Sequence, residues 1–203
     1  MKIICIGRNY SEHARELKNE VPTEPVFFMK PDTALLKDNA PFYYPSFSND
    51  IHYEAELVYK ICKNGKRILP QFAHKYYEEI TIGIDFTARD IQEQCKKKGL
   101  PWEKAKSFDQ SAVIGKFIPL SKENVQHPLQ FGLDINGNMV QQGTSSDMIF
   151  SIDQILAYVS QFITLKTGDL IFTGTPAGVG PIKIGDKLTA SLNNQKLLEF
   201  DIK

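Results

Sequence analysis

Short apolar runs separated by polar stretches rich in Pro, Gly, Asn and Asp make up most of this chain, a rhythm of strands and turns. Residues 2–6, 26–29, 53–61 and 80–86 collect β-branched and aromatic side chains and are predicted as strands. Later strands are predicted over 130–135 and 138–141, joined by Asn136-Gly137, a dipeptide suited to a two-residue hairpin turn. Three more, over 170–172, 187–192 and 197–202, are set off by Gly168-Asp169 and Gly185-Asp186. Helical patterns are fewer. Residues 10–18 read as a helix capped by Asn9 or Ser11, and 88–98 has helical composition broken by Gly99-Leu100-Pro101. Residues 151–162 are amphipathic, with Ser151 as cap and Asp153 in the first turn. Pro31, Pro41 and Pro45 punctuate a loop-rich stretch over 30–51 that is expected to hold short strands. Strands outnumber helices and do not alternate with them regularly, so the predicted class is α+β and not doubly wound α/β.

At 203 residues the chain can bury a substantial core in one domain or two closely joined ones. Its 24 basic and 24 acidic residues balance, and no basic run is interleaved with aromatics, which argues against nucleic acid or an anionic membrane as partner. Lys96-Lys97-Lys98 is the only tight basic cluster and reads as a wet helix or loop face. Cys5, Cys62 and Cys95 are odd in number, far apart and without a C-x-x-C pair, so a reduced intracellular setting is expected. No signal-like N-terminus and no run near the ~20 apolar residues of a membrane span are present, and a cytoplasmic location is expected.

Chemistry enters with His52-Tyr53-Glu54-Ala55-Glu56-Leu57-Val58-Tyr59. In a strand, Glu54 and Glu56 point to one side, with Tyr53, Ala55 and Leu57 opposite. On a solvated face that pattern is only the polar side of the strand; buried, two adjacent carboxylates need a cation between them, and oxygen ligands suit a hard divalent metal. Asp85 ends the run Gly83-Ile84-Asp85, where it can be a third ligand or the N-cap of the following helix. Arg89 and Gln92, three apart on that helix, suit recognition of a carboxylate or keto acid. Lys106 can place positive charge where an oxyanion develops, although an exposed lysine is the commoner reading. His13 and Glu16 sit at i, i+3 and can orient and deprotonate a water, or be an ordinary surface pair. Gly174-Thr175-Pro176-Ala177-Gly178-Val179-Gly180 lacks the Gly-Lys-Ser/Thr of a phosphate loop, and is expected to bring backbone amides and the Thr175 hydroxyl to a small ligand.

Taken in order, Gly7-Arg8-Asn9-Tyr10 with His13 and Glu16, residues 25–31, Tyr53-Glu54-Ala55-Glu56-Leu57, residues 85–92, Lys98-Gly99-Leu100-Pro101-Trp102, residues 105–109, Gln141, residues 146–150 and 173–180 resemble the fumarylacetoacetate hydrolase family. The likeness is greatest to its small acylpyruvase and oxaloacetate decarboxylase members and covers nearly the whole chain. It implies one catalytic domain over 1–203 with a lid helix within 1–25, a mixed β-sandwich roll with few short helices, and a homodimer. It implies that Glu54, Glu56 and Asp85 bind Mg²⁺ or Mn²⁺. Arg89, Gln92, Lys106 and Thr175 would contact a 2-oxo acid, and His13, Glu16 and Lys106 would be catalytic. The activity implied is cleavage of the C–C bond of acylpyruvates (2,4-dioxo acids) to pyruvate and a carboxylate, with decarboxylation of oxaloacetate. Oxaloacetate tautomerisation and isomerisation of 2-hydroxyhepta-2,4-diene-1,7-dioate are enzymatic alternatives, and a degenerate metal or oxo-acid binding protein is the non-enzymatic one. Lys116 departs from the family, many of whose members have proline after the matching glycine.

Overall fold

The computed structural model describes residues 1–16, 20–120 and 127–203. Its spine is an antiparallel ladder between β5 (Ala55–Ile61) and β6 (Tyr77–Asp85), where Ala55 faces Ile84, Glu56 faces Gly83 and Leu57 faces Ile82. β5 is buried at nearly every position because both of its faces are covered, and five of its seven residues are apolar, with Glu56 and Lys60 the exceptions. Around this pair an eight-stranded sheet extends through β12 (Leu170–Phe172), β1 (Ile3–Gly7) and β2 (Val26–Lys30) on one side. On the other lie β8 (Ala112–Ile114) and β3 (Leu35–Leu36), with β9 (Ile118–Pro119) paired to the start of β6. β1 runs parallel to β12 and β3 parallel to β8, while the remaining pairs are antiparallel, so the sheet is mixed.

A second sheet, in the order β11 (Asn138–Thr144), β10 (Gln130–Ile135), β14 (Lys187–Leu192), β15 (Gln195–Asp201), is antiparallel throughout. Alternation in β14 buries Leu188, Ala190 and Leu192, which join Ile80, Ile82 and Ile84 of β6 in one apolar core. A small third sheet, β13 (Gly180–Pro181), β4 (Ile51–Tyr53), β7 (Thr87–Ala88), closes one end. The helices are short: α1 (Ser11–Glu16), α2 (Arg89–Lys98), α3 (Glu103–Lys106) and α4 (Ile152–Phe162). The α+β roll expected from the sequence is therefore the observed architecture, and among the described residues no helix is long and apolar enough to cross a membrane.

The local predictions hold where side-chain chemistry fixes the backbone. Asn136 and Gly137 take φ of 54° and 80°, the left-handed pair that joins β10 to β11. Ser151 caps α4, accepting from the Gln154 amide while the Gln154 side chain accepts from the Ser151 amide. Three predictions are corrected. The helix expected over 10–18 begins at Ser11, and its last two residues lie outside the described ones. The strand expected over 53–61 is interrupted at Glu54. The N-cap of α2 is Ala88, which leaves Asp85 free for the site described below. Lys116 spends its N–H on the Leu197 carbonyl at 2.9 Å, a bond that a proline at this position would have no proton to make.

Gly83 is the tightest point of the central ladder. A Cβ there would come within 2.7 Å of the Val113 carbonyl and 2.8 Å of Phe172 and Val58 side-chain carbons. Gly83→Ala is expected to lower stability by about 1–3 kcal/mol, as overpacked core substitutions do, measured by urea unfolding against wild type. An unchanged unfolding midpoint would contradict the packing described here.

Candidate active site

Glu54 occupies the single-residue gap between β4 and β5, and its carbonyl accepts the Asp85 amide at 2.8 Å, so the ladder stays in register across the gap. Glu56 follows two residues later, and Asp85 ends β6 beside them. One carboxylate oxygen from each of the three lies within 4.8 Å of the other two, and all three residues are buried. The solvated-face reading of Glu54 and Glu56 is thus excluded.

Three acids this close require cations. Arg89 Nη2 donates to Glu54 Oε1 at 2.7 Å, and Lys106 Nζ donates to Glu54 Oε2 at 2.8 Å and to Asp85 Oδ2 at 2.9 Å. Lys106 is 3% exposed, against the commoner expectation for a lysine. A residue that sequence reasoning missed supplies the third cation: Lys30 Nζ, fully buried, lies 2.7 Å from Asp85 Oδ1. Its protons go elsewhere, to the Ser111 carbonyl at 2.9 Å, Ser111 Oγ at 3.0 Å and the Phe86 carbonyl at 3.3 Å. Among the described residues, Asp85 Oδ1 therefore has a charge beside it and no hydrogen bond. Glu56 accepts the Gly174 amide at 2.7 Å and, among the described residues, has no cation of its own.

Ionisation follows that arrangement. Burial acts to raise the Glu54 carboxyl, but Lys106 and then Arg89 outweigh it and hold the group below its ordinary value. Burial also raises Glu56, and here Asp85 and Glu54 add to it, leaving this carboxyl well above its ordinary 4.5. For Lys106 burial works against the charge, and Asp85 and Glu54 more than restore it. The donor set is all oxygen, with one oxygen on Asp85 lacking a hydrogen bond and one carboxylate lacking positive charge. It fits a hard divalent cation held by Glu54, Glu56 and Asp85.

The remaining predicted residues surround the cluster. His13, Arg89, Gln92, Lys106 and Thr175 line one small cavity of ≈ 40 Å³ with the three acids. Arg89 Nη1 donates to Gln92 Oε1 at 2.7 Å, and its buried Nε has no partner among the described residues. His13 Nδ1 meets Glu16 Oε2 at 3.2 Å; the imidazole is buried and the carboxylate about one-third exposed. Glu16 does not line the cavity but accepts the Gly178 amide at 3.2 Å, which fastens α1 to the glycine-rich loop. That loop gives its amides to protein carboxylates: Gly174 to Glu56 and Gly178 to Glu16. Gly178, at φ 97° with only 2.7 Å from an added Cβ to the Val140 carbonyl, has no room for a side chain.

Gln141, noted in the sequence without a role, ties the parts together. Its Oε1 accepts the Ala55 amide at 2.9 Å, while its Nε2 donates to Thr175 Oγ1 at 2.9 Å and the Pro176 carbonyl at 3.0 Å. Arg8, Phe28, Lys96 and Trp102 also reach the cavity and were not singled out as site residues. Lys30 closes β2 as Asp85 closes β6, but nothing in its local sequence distinguishes it from an ordinary lysine at a strand end.

Comparison with known proteins gives a consistent result. The family described as fumarylacetoacetate (FAA) hydrolase C-terminal matches residues 2–203. The chain is 44% identical over 201 residues to a mitochondrial oxaloacetate tautomerase of Mus musculus, spanning 99% of this chain and 91% of that one. It is 41% identical over 197 residues to an oxaloacetate tautomerase of Escherichia coli, spanning 97% and 90%. A crystal structure of fumarylpyruvate hydrolase from Pseudomonas aeruginosa, in complex with Mn²⁺ and pyruvate, superposes with a TM-score of 0.93 at 35% identity, covering 100% of this chain and 89% of that one.

A cation bound by the three acids requires Glu56 ionised, whereas the metal-free cluster keeps it protonated above 4.5. The group's folded value is raised, so its contribution to the stability of the metal-free protein is complete below 4.5 and is lost as pH rises through the folded value. Mg²⁺ affinity should accordingly rise with pH across that interval, with release of about one proton per ion, read by calorimetry in buffers of different ionisation enthalpy. Metal-free Glu56→Gln should be the more stable protein at pH 8, by on the order of 1 kcal/mol for each tenfold difference in proton affinity that the substitution abolishes, and should gain little from Mg²⁺. Binding with no proton exchange would contradict the assignment.

Proposed function

The chain belongs to the fumarylacetoacetate hydrolase family, and we propose that it is a Mg²⁺- or Mn²⁺-dependent enzyme of small 2-oxo acids with oxaloacetate tautomerisation as its primary reaction. The observation that carries this reading is the buried Glu54, Glu56, Asp85 cluster opening into a small cavity whose other polar walls include Arg89, Lys106 and His13. The names of the mouse and E. coli relatives favour the tautomerase, one of the enzymatic alternatives of the sequence reading, over the C–C hydrolase placed first there. A divalent cation held by Glu54, Glu56 and Asp85 would supply Lewis-acid polarisation of the substrate's 2-oxo group.

The protein's own groups account for the rest. Arg89, with an unpaired Nε and with Gln92 fixing its other end, receives the 1-carboxylate. Lys106 keeps positive charge beside the oxygen on which negative charge grows. His13 is held through Nδ1 by Glu16, which leaves Nε2 to take a proton. In the keto-to-enol direction the C3–H bond breaks, its proton passes to His13 Nε2, and its electron pair enters the new C2=C3 bond. The C2=O π pair moves onto the 2-oxo oxygen, which takes up a proton as the His13 imidazolium gives up the one it received, so the base is restored and no atom is gained or lost. A second reading, hydrolysis of an acylpyruvate, is favoured by the partly exposed Glu16 carboxylate against the buried imidazole, a pair able to deprotonate water. It would use the same cluster.

The test is turnover of oxaloacetate, followed at the enol absorbance, and of acetylpyruvate, followed as pyruvate, with and without EDTA. Metal-dependent enol–keto exchange faster than acetylpyruvate cleavage is expected; cleavage alone would put hydrolysis first, and turnover of neither would sink both. Glu54→Ala should lose Mg²⁺ binding and all activity. His13→Ala should keep its Mg²⁺ affinity and lose roughly 10²–10⁴ in kcat, the range typical for a general acid–base. A wild-type rate in His13→Ala would remove the imidazole from the mechanism.

A further inference from the structure

Two cations in the catalytic cavity have no task in the chemistry above. Arg8 and Lys96 both line it, far apart in the chain and from different elements, one following β1 and one in the last turns of α2. Among the described residues neither forms an ion pair or side-chain hydrogen bond, in contrast to Arg89, Lys30 and Lys106, each committed to a carboxylate. They are also within electrostatic reach of one another. Lys96 is exposed at the mouth, yet partial desolvation lowers its ammonium, and Arg89 and Arg8 lower it further. Uncommitted positive charges placed together at one mouth repel each other unless an anion arrives.

Arg8 is moreover held in a costly position. Its φ is 60°, a left-handed value rare for a residue with a side chain. The next residue locks it there: Asn9 is fully buried, donates from Nδ2 to the Thr173 carbonyl at 2.8 Å and the Phe150 carbonyl at 3.0 Å, and accepts the Phe150 amide at 2.8 Å. Backbone strain over-determined in this way persists where it aims a functional side chain. Lys96 is steadied differently, with Nζ 5.7 Å from the centre of the Trp102 ring, a cation–π distance.

From this placement the geometry points to Arg8 and Lys96 as the residues that recognise a second carboxylate, at C4 of the substrate, and so select 2-oxo dicarboxylates over 2-oxo acids with a neutral tail. The inference rests on the 2-oxo acid reading of the cluster and adds the tail to it. Its competitor is on the other side of Phe28 and Trp102, where an apolar groove of ≈ 310 Å³ lined by Val26, Met29, Leu100 and Pro101 would suit a neutral acyl tail.

Oxaloacetate is pyruvate with a carboxylate added at C3, so the pair of ligands isolates the contact. Trp102, the only tryptophan, lies in the cavity wall and its emission reports occupancy independently of turnover. The experiment titrates Mg²⁺-loaded wild type, Arg8→Gln and Lys96→Met with pyruvate and with oxaloacetate by fluorescence, alongside KM and kcat for oxaloacetate. Wild type should prefer oxaloacetate, and each variant should lose at least tenfold of that preference, in KM more than in kcat, with Lys96→Arg restoring most of it. Equal losses for both ligands, or a preference unchanged in both variants, would overturn the assignment while leaving the 2-oxo acid reading intact. A wild type that binds neither ligand would overturn both together. A wild type favouring acylpyruvates of increasing chain length would place the tail in the apolar groove and overturn the assignment alone.

Discussion

Everything in this molecule that bears on function depends on three carboxylates being kept out of water within 4.8 Å of one another. Alone, that arrangement would be worth several kcal/mol of instability. The fold answers with a matched set of cations, Arg89 on Glu54, Lys106 between Glu54 and Asp85, and Lys30 beside Asp85, and among the described residues leaves Glu56 without one. The deficit of positive charge is local and is directed into a cavity. A site that neutralised all three acids from within would have no reason to bind a cation, and one that neutralised none would not stay folded around them.

The scaffold reads as the means of holding that balance. The β5–β6 ladder sets Glu56 against Gly83 and continues past the Glu54 break through the Asp85 amide. Gly83 lets the neighbouring strand and Phe172 close in, Gly174 brings an amide to Glu56, and Gln141 spans from the Ala55 amide to Thr175. Asn9 fastens the turn after β1 to the bend before α4 at Phe150 and to the end of β12 at Thr173, so Arg8 and the start of α1 are placed by a buried network that also reaches the loop bearing Gly174. Specificity and chemistry are thus positioned by shared backbone contacts between distant parts of the chain.

Much of this was legible in the sequence, and the reasons are physical. Period-two placement put Glu54 and Glu56 on one side, i, i+3 spacing paired Arg89 with Gln92 and His13 with Glu16, and Asn136-Gly137 and Ser151 fixed their own backbone. What was not legible depended on partners far along the chain. Most of the two- and three-residue strands, β4, β7, β8, β9 and β13 among them, have too few residues to show a period, and exist because a neighbour offers hydrogen bonds. Lys30 looked like an ordinary end of an apolar strand, and its role appears only once Asp85 and Ser111 are beside it. Lys96, Lys97 and Lys98 are exposed as the run predicts, but nothing local says that the first of them also borders a cavity while the second pairs with Glu93 on the outside. The Asp85 alternative, an N-cap, failed because α2 starts four residues later, at Arg89.

The central claim is that Glu54, Glu56 and Asp85 would together hold one divalent cation, which would compete with Lys106 for the Glu54 and Asp85 oxygens that it bridges. Crystals grown with Mn²⁺ and measured near the manganese absorption edge test it most directly. The account predicts one strong anomalous peak enclosed by oxygens of all three residues, with Lys106 Nζ withdrawn from at least one of its two carboxylate partners. A saturated crystal with no peak there, or with a peak that leaves Glu56 uncoordinated and Lys106 still bridging, would contradict it.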